Sequence, residues 1–340
     1  MVRASDCFGL RSQRAPENVE PERHRKRRHQ IRASTVGHKF GGPWTEIKLD
    51  AVQYYLECYA KALTSAGMDI WYIDAFAGTG DREAERQVGG IFENRIIETV
   101  VETLDGSARR ALHVDPPFNH FVFIENNPAR CAALEALKGK TARDIQIIQG
   151  EANATLEALV SRRPWDQKDR SKSRAVVFLD PYALEVDWST LQSLATTCVM
   201  DVWYLFPLEA VLRQLSRKIS GVGVKAPKLD RMLSPAWRDL YALHPPDPEE
   251  RADMFDVRPI EERQREANAA QVEEWFRGEL AKIFAYVPEP VSILRSANRR
   301  MFSLFLCVSN PSPQATDLAQ NFMKYVKQGR KPASRHKSAH

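Results

Sequence analysis

The sequence predicts an α/β chain with a doubly wound, mostly parallel sheet, closed by a C-terminal β-hairpin and carrying a helical insertion. Three observations predict it. Four near-continuous apolar segments, at 70–73, 121–124, 145–148 and 175–179, lie far enough apart to hold helices between them. Runs of that kind suit parallel strands covered on both faces and joined by right-handed crossovers. A fifth run follows at 200–206, and two more, at 291–294 and 302–308, are split by the polar stretch 296–300 and read as a long hairpin. That makes a seven-stranded sheet with an antiparallel strand at or near its edge, a common mixed arrangement.

Taken in order, residues 1–36 are polar and Arg-rich without apolar periodicity, which reads as a disordered basic leader. From Trp44 the pattern changes, and Ile47, Val52, Tyr55, Leu56, Tyr59 and Leu63 form a helical stripe ending near Gly67. The core runs over 37–212. Between 213 and 289 charge and proline are abundant and periodicity weakens, which suggests a helical insertion on the sheet edge. Residues 290–326 complete the core with the hairpin and a helix, and 327–340 form a basic tail.

With 340 residues, the chain exceeds the roughly 100–200 residues of one ordinary domain, so a large decorated domain is expected. No run approaches the roughly 20 apolar residues of a membrane span, and the N-terminus lacks a signal-peptide core, so a cytoplasmic location without membrane contact is expected. The five cysteines are scattered with no C-x-x-C pair, which points away from a zinc site or redox couple. The net charge of +5 conceals an asymmetry: ten Lys/Arg against four Asp/Glu in 1–40, and six against none in 324–340. The tails therefore carry about twelve positive charges and the body about seven negative ones. Such arms can track nucleic-acid phosphates, although short charge runs also occur at plain solvated termini.

The strongest local signal is Ile73-Asp74-Ala75-Phe76-Ala77-Gly78-Thr79-Gly80, where the first strand should end. Glycines let the backbone turn sharply and approach a ligand, and in open α/β sheets ligands sit beyond the carboxyl ends of the strands. A plain tight turn would look the same. The second strand, however, ends in Glu125-Asn126, which places a carboxylate to accept hydrogen bonds from ribose hydroxyls. Its spacing of 45 residues from Gly80 exceeds the twenty or so of dinucleotide folds, implying an enlarged helical region between them and favouring an adenosyl ligand other than NAD. At the third strand end, Glu151 and Asn153 could address an adenine ring or simply cap the next helix. The fourth ends in Asp180-Pro181-Tyr182, where a carboxylate, a rigid proline and an aromatic could hold and stack a planar acceptor. No Ser/His/Asp or metal-ligand spacing appears, and His38, His113 and His120 are scattered. The set suits S-adenosylmethionine as cofactor, with Asp74, Phe76, Gly78, Gly80, Glu125, Asn126, Glu151 and Asn153 on its side and Asp180, Pro181 and Tyr182 facing the acceptor. Methyl transfer needs alignment more than titrating groups.

These residues resemble the three-Cys-motif partner (TcmP) family. The matching pieces are Phe40-Gly41-Gly42-Pro43-Trp44-Thr45-Glu46 with Lys48, the run Tyr72 to Gly80, Phe123-Ile124-Glu125, Phe178-Leu179-Asp180-Pro181-Tyr182 and Trp203-Tyr204-Leu205-Phe206-Pro207. The resemblance implies a Rossmann-like methyltransferase fold and a separate partner protein bearing three cysteines and resembling radical S-adenosylmethionine enzymes; it implies no substrate. Asp180-Pro181-Tyr182 departs from the amino-methyltransferase signature D-P-P-Y by one proline. The function expected first is methylation of a nucleic-acid base. One rival is a non-catalytic or partner-dependent module on the same fold. Another is a metal-dependent nuclease using Asp74, Glu125 and Asp180 as ligands.

Overall fold

The computed structural model describes residues 38–39, 43–79, 81–90, 95–166, 172–244, 262–296 and 299–327. The leader at 1–36, Gly80 and the tail beyond 327 lie outside the described residues. Seven strands form one sheet: β1 Asp69–Asp74, β2 His120–Glu125, β3 Ile145–Gln149, β4 Ser173–Leu179, β5 Met200–Phe206, β6 Val291–Ser296 and β7 Arg299–Val308. Their order is β6-β7-β5-β4-β1-β2-β3. Neighbours from β5 to β3 are parallel, for example Tyr72 opposite Phe121 and Val176. β7 runs antiparallel to β5, pairing Leu304 with Leu205, and β6 pairs antiparallel with β7 through two register shifts. The arrangement is an α/β fold built on a mostly parallel seven-stranded sheet.

The apolar runs are continuous because both faces of the sheet are covered. Alternate residues feed two separate cores. Ile73, Val122, Ile124, Val177, Val202, Tyr204 and Phe305 face one, with helices α4 (Ala152–Arg162), α5 (Trp188–Ala195), α6 (Leu208–Gln214) and α8 (Ala269–Ile283). Tyr72, Phe121, Phe123, Val176, Phe178, Trp203 and Leu306 face the other, with α1 (Pro43–Ser65), α3 (Pro128–Lys138) and α9 (Pro313–Lys327). The stripe expected on the first helix is the face that α1 buries, with Val52, Tyr55, Leu56 and Tyr59 all within 3% of complete burial.

Two regions differ from expectation. Between Gly80 and Glu125 the described residues form a β-hairpin, Asp81–Gly90 paired with Arg95–Asp105, and among them only a six-residue helix, α2 Ser107–Leu112, where an enlarged helical region was expected. The segment 96–104 is rich in Val, Ile and Thr, whose stiff branched side chains favour strands. Within 213–289 the described residues include α7 (Ala226–Leu233), short 3-10 turns and an antiparallel ribbon, Tyr241–His244 with Glu262–Arg265. Helix α8, also in that span, is opened by Asn268 and Gln271 in a reciprocal capping box. It drives Phe276 into the sheet, stacked on Phe206 with ring centroids 4.1 Å apart.

Candidate functional site

The chain order makes the site. From β1 it winds outward through β2 to β3, then returns to lay β4 on the other side of β1, so a crevice opens at the carboxyl ends where the winding reverses.

At the end of β1, Asp74 is fully buried. Its Oδ1 accepts a hydrogen bond from the Phe76 backbone N–H at 3.2 Å, and the Tyr72 and Ser107 hydroxyls also bond to it. Burial pushes its carboxyl up to about 7, because these donors only partly replace lost hydration. Asp74 thus braces the turn from beneath and does not line the crevice. The turn is held further by Ala75 N–H donating to the Phe178 carbonyl and Ala77 N–H to the Ile124 carbonyl, at 3.0 and 3.1 Å. Gly78 has φ of +63°, a conformation that favours glycine, and its N–H donates to Glu125 Oε2 at 3.1 Å. Gly78 and Glu125 therefore stand side by side on one rim.

Glu125 is 4% exposed. Its Oε1 accepts from the Asn127 N–H at 2.9 Å, and the Arg130 guanidinium lies 3.5 Å away. Asn127 caps α3, with Pro128 in the first turn, which aims that helix start at the strand end. Above the pair lies Tyr182: Arg130 donates to its hydroxyl at 2.8 Å and sits 5.0 Å from the ring centroid. A Cβ on Gly78 would come to 4.0 Å from that hydroxyl.

A cavity of about 340 Å³ opens here, lined by Phe76, Glu125, Asn126, Glu151, Asn153 and Tyr182 among others. Its size falls in the range of small-molecule sites, roughly 300–1,000 Å³. Glu151 is the N-cap of α4, accepting from the Asn153 and Ala154 N–H groups, and these bonds hold its carboxyl below the usual range despite partial burial. The Asn153 side-chain amide donates to Glu151 and to the Glu185 carbonyl and accepts from Asp187 N–H and the Thr190 hydroxyl. All four of its hydrogen-bonding positions are thereby used, so this side chain builds the wall. At the end of β4, Pro181 is buried, Tyr182 is half exposed, and Asp180 forms an ion pair with Lys48 of α1.

Seven of the residues expected at the site, Phe76, Glu125, Asn126, Glu151, Asn153 and Tyr182 in the wall and Gly78 on the rim, come together; Asp74 and Asp180 stand behind and beside them, and Gly80 lies outside the described residues. The three carboxylates of the nuclease reading face different partners, and among the described residues no group of three or more His, Cys, Asp or Glu gathers as a ligand set. Sequence reasoning missed Arg130, Asp187 and Arg231. Arg231 reaches the cavity from α7 and pairs with Asp187 at 2.8 Å. Nothing in the local pattern of either arginine marks it, since each is placed by tertiary contact.

No family model matches the chain, and no curated protein matches it. Among solved structures it is similar to a Legionella pneumophila protein of the family DUF519, at 13% identity over 85% of this chain and 94% of that one, with a TM-score of 0.46. It is similar also to yhhF of Escherichia coli, a proposed methyltransferase, at 16% identity over 63% and 87%, TM-score 0.28. A proposed methyltransferase from Thermobifida fusca gives 11% identity over 66% and 84%, TM-score 0.29. No helix of the described residues is long and apolar enough to cross a membrane.

Proposed function

We propose that the chain is a three-Cys-motif partner protein and an S-adenosylmethionine-dependent methyltransferase acting on a nucleic-acid base. The observation that carries this reading is the shared rim of Gly78 and Glu125 beside a cavity of adenosyl size at the switch point of the sheet. The residues fit the group. Glu125 offers lone pairs at the strand end where ribose hydroxyls sit in nucleoside-binding sheets, and the glycine turn lets backbone approach without a Cβ.

When bound between the glycine turn and Glu125, S-adenosylmethionine would supply an electrophilic methyl group on a sulfonium. The chain's work is positional. Gly78 and Glu125 seat the nucleoside, Asp74 braces the turn, and Tyr182 provides a planar face on the acceptor side. An extruded base would stack there. The basic tails, through which nucleic acid would be engaged, support a polyanionic substrate.

Isothermal titration with S-adenosylmethionine, followed by methyl incorporation into bulk RNA and DNA with and without the three-cysteine partner, tests the reading. Micromolar binding with incorporation is expected. Binding without turnover under either condition would favour a non-catalytic module, and no binding would remove the cofactor assignment.

A further inference from the structure

Charge is unevenly placed in the body of the chain. Its balance is negative, yet residues 213–238 carry seven Lys or Arg against a single acid, Asp230. That acid is occupied within its own segment, accepting from the Trp237 indole N–H at 2.8 Å and from the Arg238 guanidinium. Helix α7 buries Leu229, Met232 and Leu233 and leaves Lys228 and Arg231, three residues apart, exposed, with Lys225 one turn earlier at its N-cap. Positions three apart are neighbours on a helix surface, so these cations repel one another unless an anion lies along them.

Arg231 brings this line of charge to the mouth of the cavity, which it helps to line. Its Nε stands 2.8 Å from an Asp187 carboxylate oxygen, and Asp187 is the N-cap of α5. An N-cap aspartate ordinarily accepts from the first N–H groups of its own helix, which stabilises it. Asp187 makes no such bond. Its carboxylate holds Arg231 instead, and with side chains 22% and 59% exposed that pair adds little stability in return. A cap given up for an exposed ion pair marks a position kept for function. Contact through Nε leaves the two terminal nitrogens of the guanidinium, a planar fork that matches phosphate.

The rest of the cavity wall has the opposite sign. Glu125, Glu151, Glu185 and Asp187 all line it, so a phosphate is repelled from the interior while an uncharged base is not. Charge alone would sort a nucleic-acid strand, backbone on α7 and base inward. Building on the nucleic-acid reading above, we infer that Lys225, Lys228 and Arg231 form a surface for the sugar-phosphate backbone of a single strand, and that Arg231 takes the phosphate beside the nucleotide whose base enters the cavity. This surface is separate in sequence from the basic tails.

Fluorescence anisotropy on the full chain, with a labelled single-stranded RNA and the same sequence as DNA across a salt series, tests this. Each phosphate contact on a single strand contributes about 0.7 to the slope of log affinity against log salt. For at least one of the two strands, Lys228→Gln with Arg231→Gln should lower that slope by about 1.4 and weaken binding by about tenfold or more. The charge-matched pair Lys61→Gln with Lys140→Gln, exposed cations outside α7, should leave the slope unchanged. An unchanged slope in the α7 variant, an equal fall in both variants, or no binding by the wild type would overturn the inference. So would a wild-type preference for polyglutamate that the α7 changes abolish, which would give the face to an acidic protein. Should the α7 double variant fail to fold, Lys228→Gln alone, with an expected fall of about 0.7, carries the test. Methyl incorporation from S-adenosylmethionine into the same oligonucleotides reports separately on the methyltransferase reading: incorporation with an unchanged slope sinks this inference alone, and a lowered slope without incorporation sinks that reading alone.

Discussion

Two glutamates are buried to a similar degree in this molecule, Glu125 at 4% and Glu273 at 6% exposure, and they are satisfied in opposite ways. Glu273, on α8, receives the Arg300 guanidinium and the hydroxyls of Ser292 and Ser303, so three side chains of the β6–β7 hairpin close on it. Glu125 receives backbone N–H groups from Gly78 and Asn127, with one arginine at the edge of reach. A carboxylate enclosed by side chains is a tie between elements. One satisfied by the N–H groups of two loops, beside a cavity, can exchange partners when a ligand arrives. Glu273 is therefore placed for cohesion, and Glu125 for exchange.

The sharpest way to break that contrast is Glu273→Ala. Removing one partner leaves Arg300 without its carboxylate, and such losses cost about 3 kcal/mol, or a melting-temperature drop of roughly 4–5 °C for a chain of this length. Calorimetry should show that drop while S-adenosylmethionine affinity, by titration, stays within twofold. Next is Glu125→Gln, the mirror experiment. Losing a charged acceptor costs roughly 1.5–3 kcal/mol of binding, about tenfold to a hundredfold in Kd. The melting temperature should move less than for Glu273→Ala; the reverse ranking would refute the division of labour.

Smaller again is a paired comparison of glycines. Gly78→Ala and Gly223→Ala both place a side chain at positive φ, at +63° and +44°, with no atom closer than 4.0 Å to the new Cβ. Each should therefore lose only about 1–2 kcal/mol of stability from backbone strain. Only the Gly78 change should also weaken S-adenosylmethionine binding, and equal affinities for the two variants would remove Gly78 from the site.

The last comparison is in pH, where the effect is spread over several units. Asp74 at the site and Asp201 in the scaffold are both raised from an ordinary 3.8 to about 7 by burial. Between those values the folded chain binds more protons than the unfolded one, so stability is greatest at the acid end and falls as pH rises from about 4 to about 7. Each carboxylate contributes a slope of at most about 1.4 kcal/mol per pH unit. Asp201→Asn should flatten this dependence in melting curves, and an unchanged slope would show that its proton is not coupled to folding.

Much of the architecture was legible because both faces of a covered parallel sheet demand apolar side chains. Segment 200–206 coincides with β5, the other four expected parallel strands fall within one or two residues of those observed, and the hairpin strands expected at 291–294 and 302–308 extend to Val291–Ser296 and Arg299–Val308. The hairpin 81–105 was not legible. Its alternation is irregular, and charged residues at Arg82, Glu83, Glu85 and Arg86 mask the β-branched signal that is clear only at 96–104. The site was legible where backbone geometry requires a residue type, as at Gly78, and where a strand ends in a carboxylate, as at Glu125. It was not legible where a side chain crosses from another element.

By itself, then, the sequence determined the strands, the glycine turn and the carboxylates at the strand ends, because periodicity and backbone conformation are local properties written in neighbouring residues. Tertiary structure alone decided that Asn153 would be consumed in building the wall, that Arg130 and Tyr182 would meet over Glu125, and that Lys48 would reach Asp180. Those outcomes depend on which strand ends the winding of the chain sets side by side, and no window of sequence contains that distance.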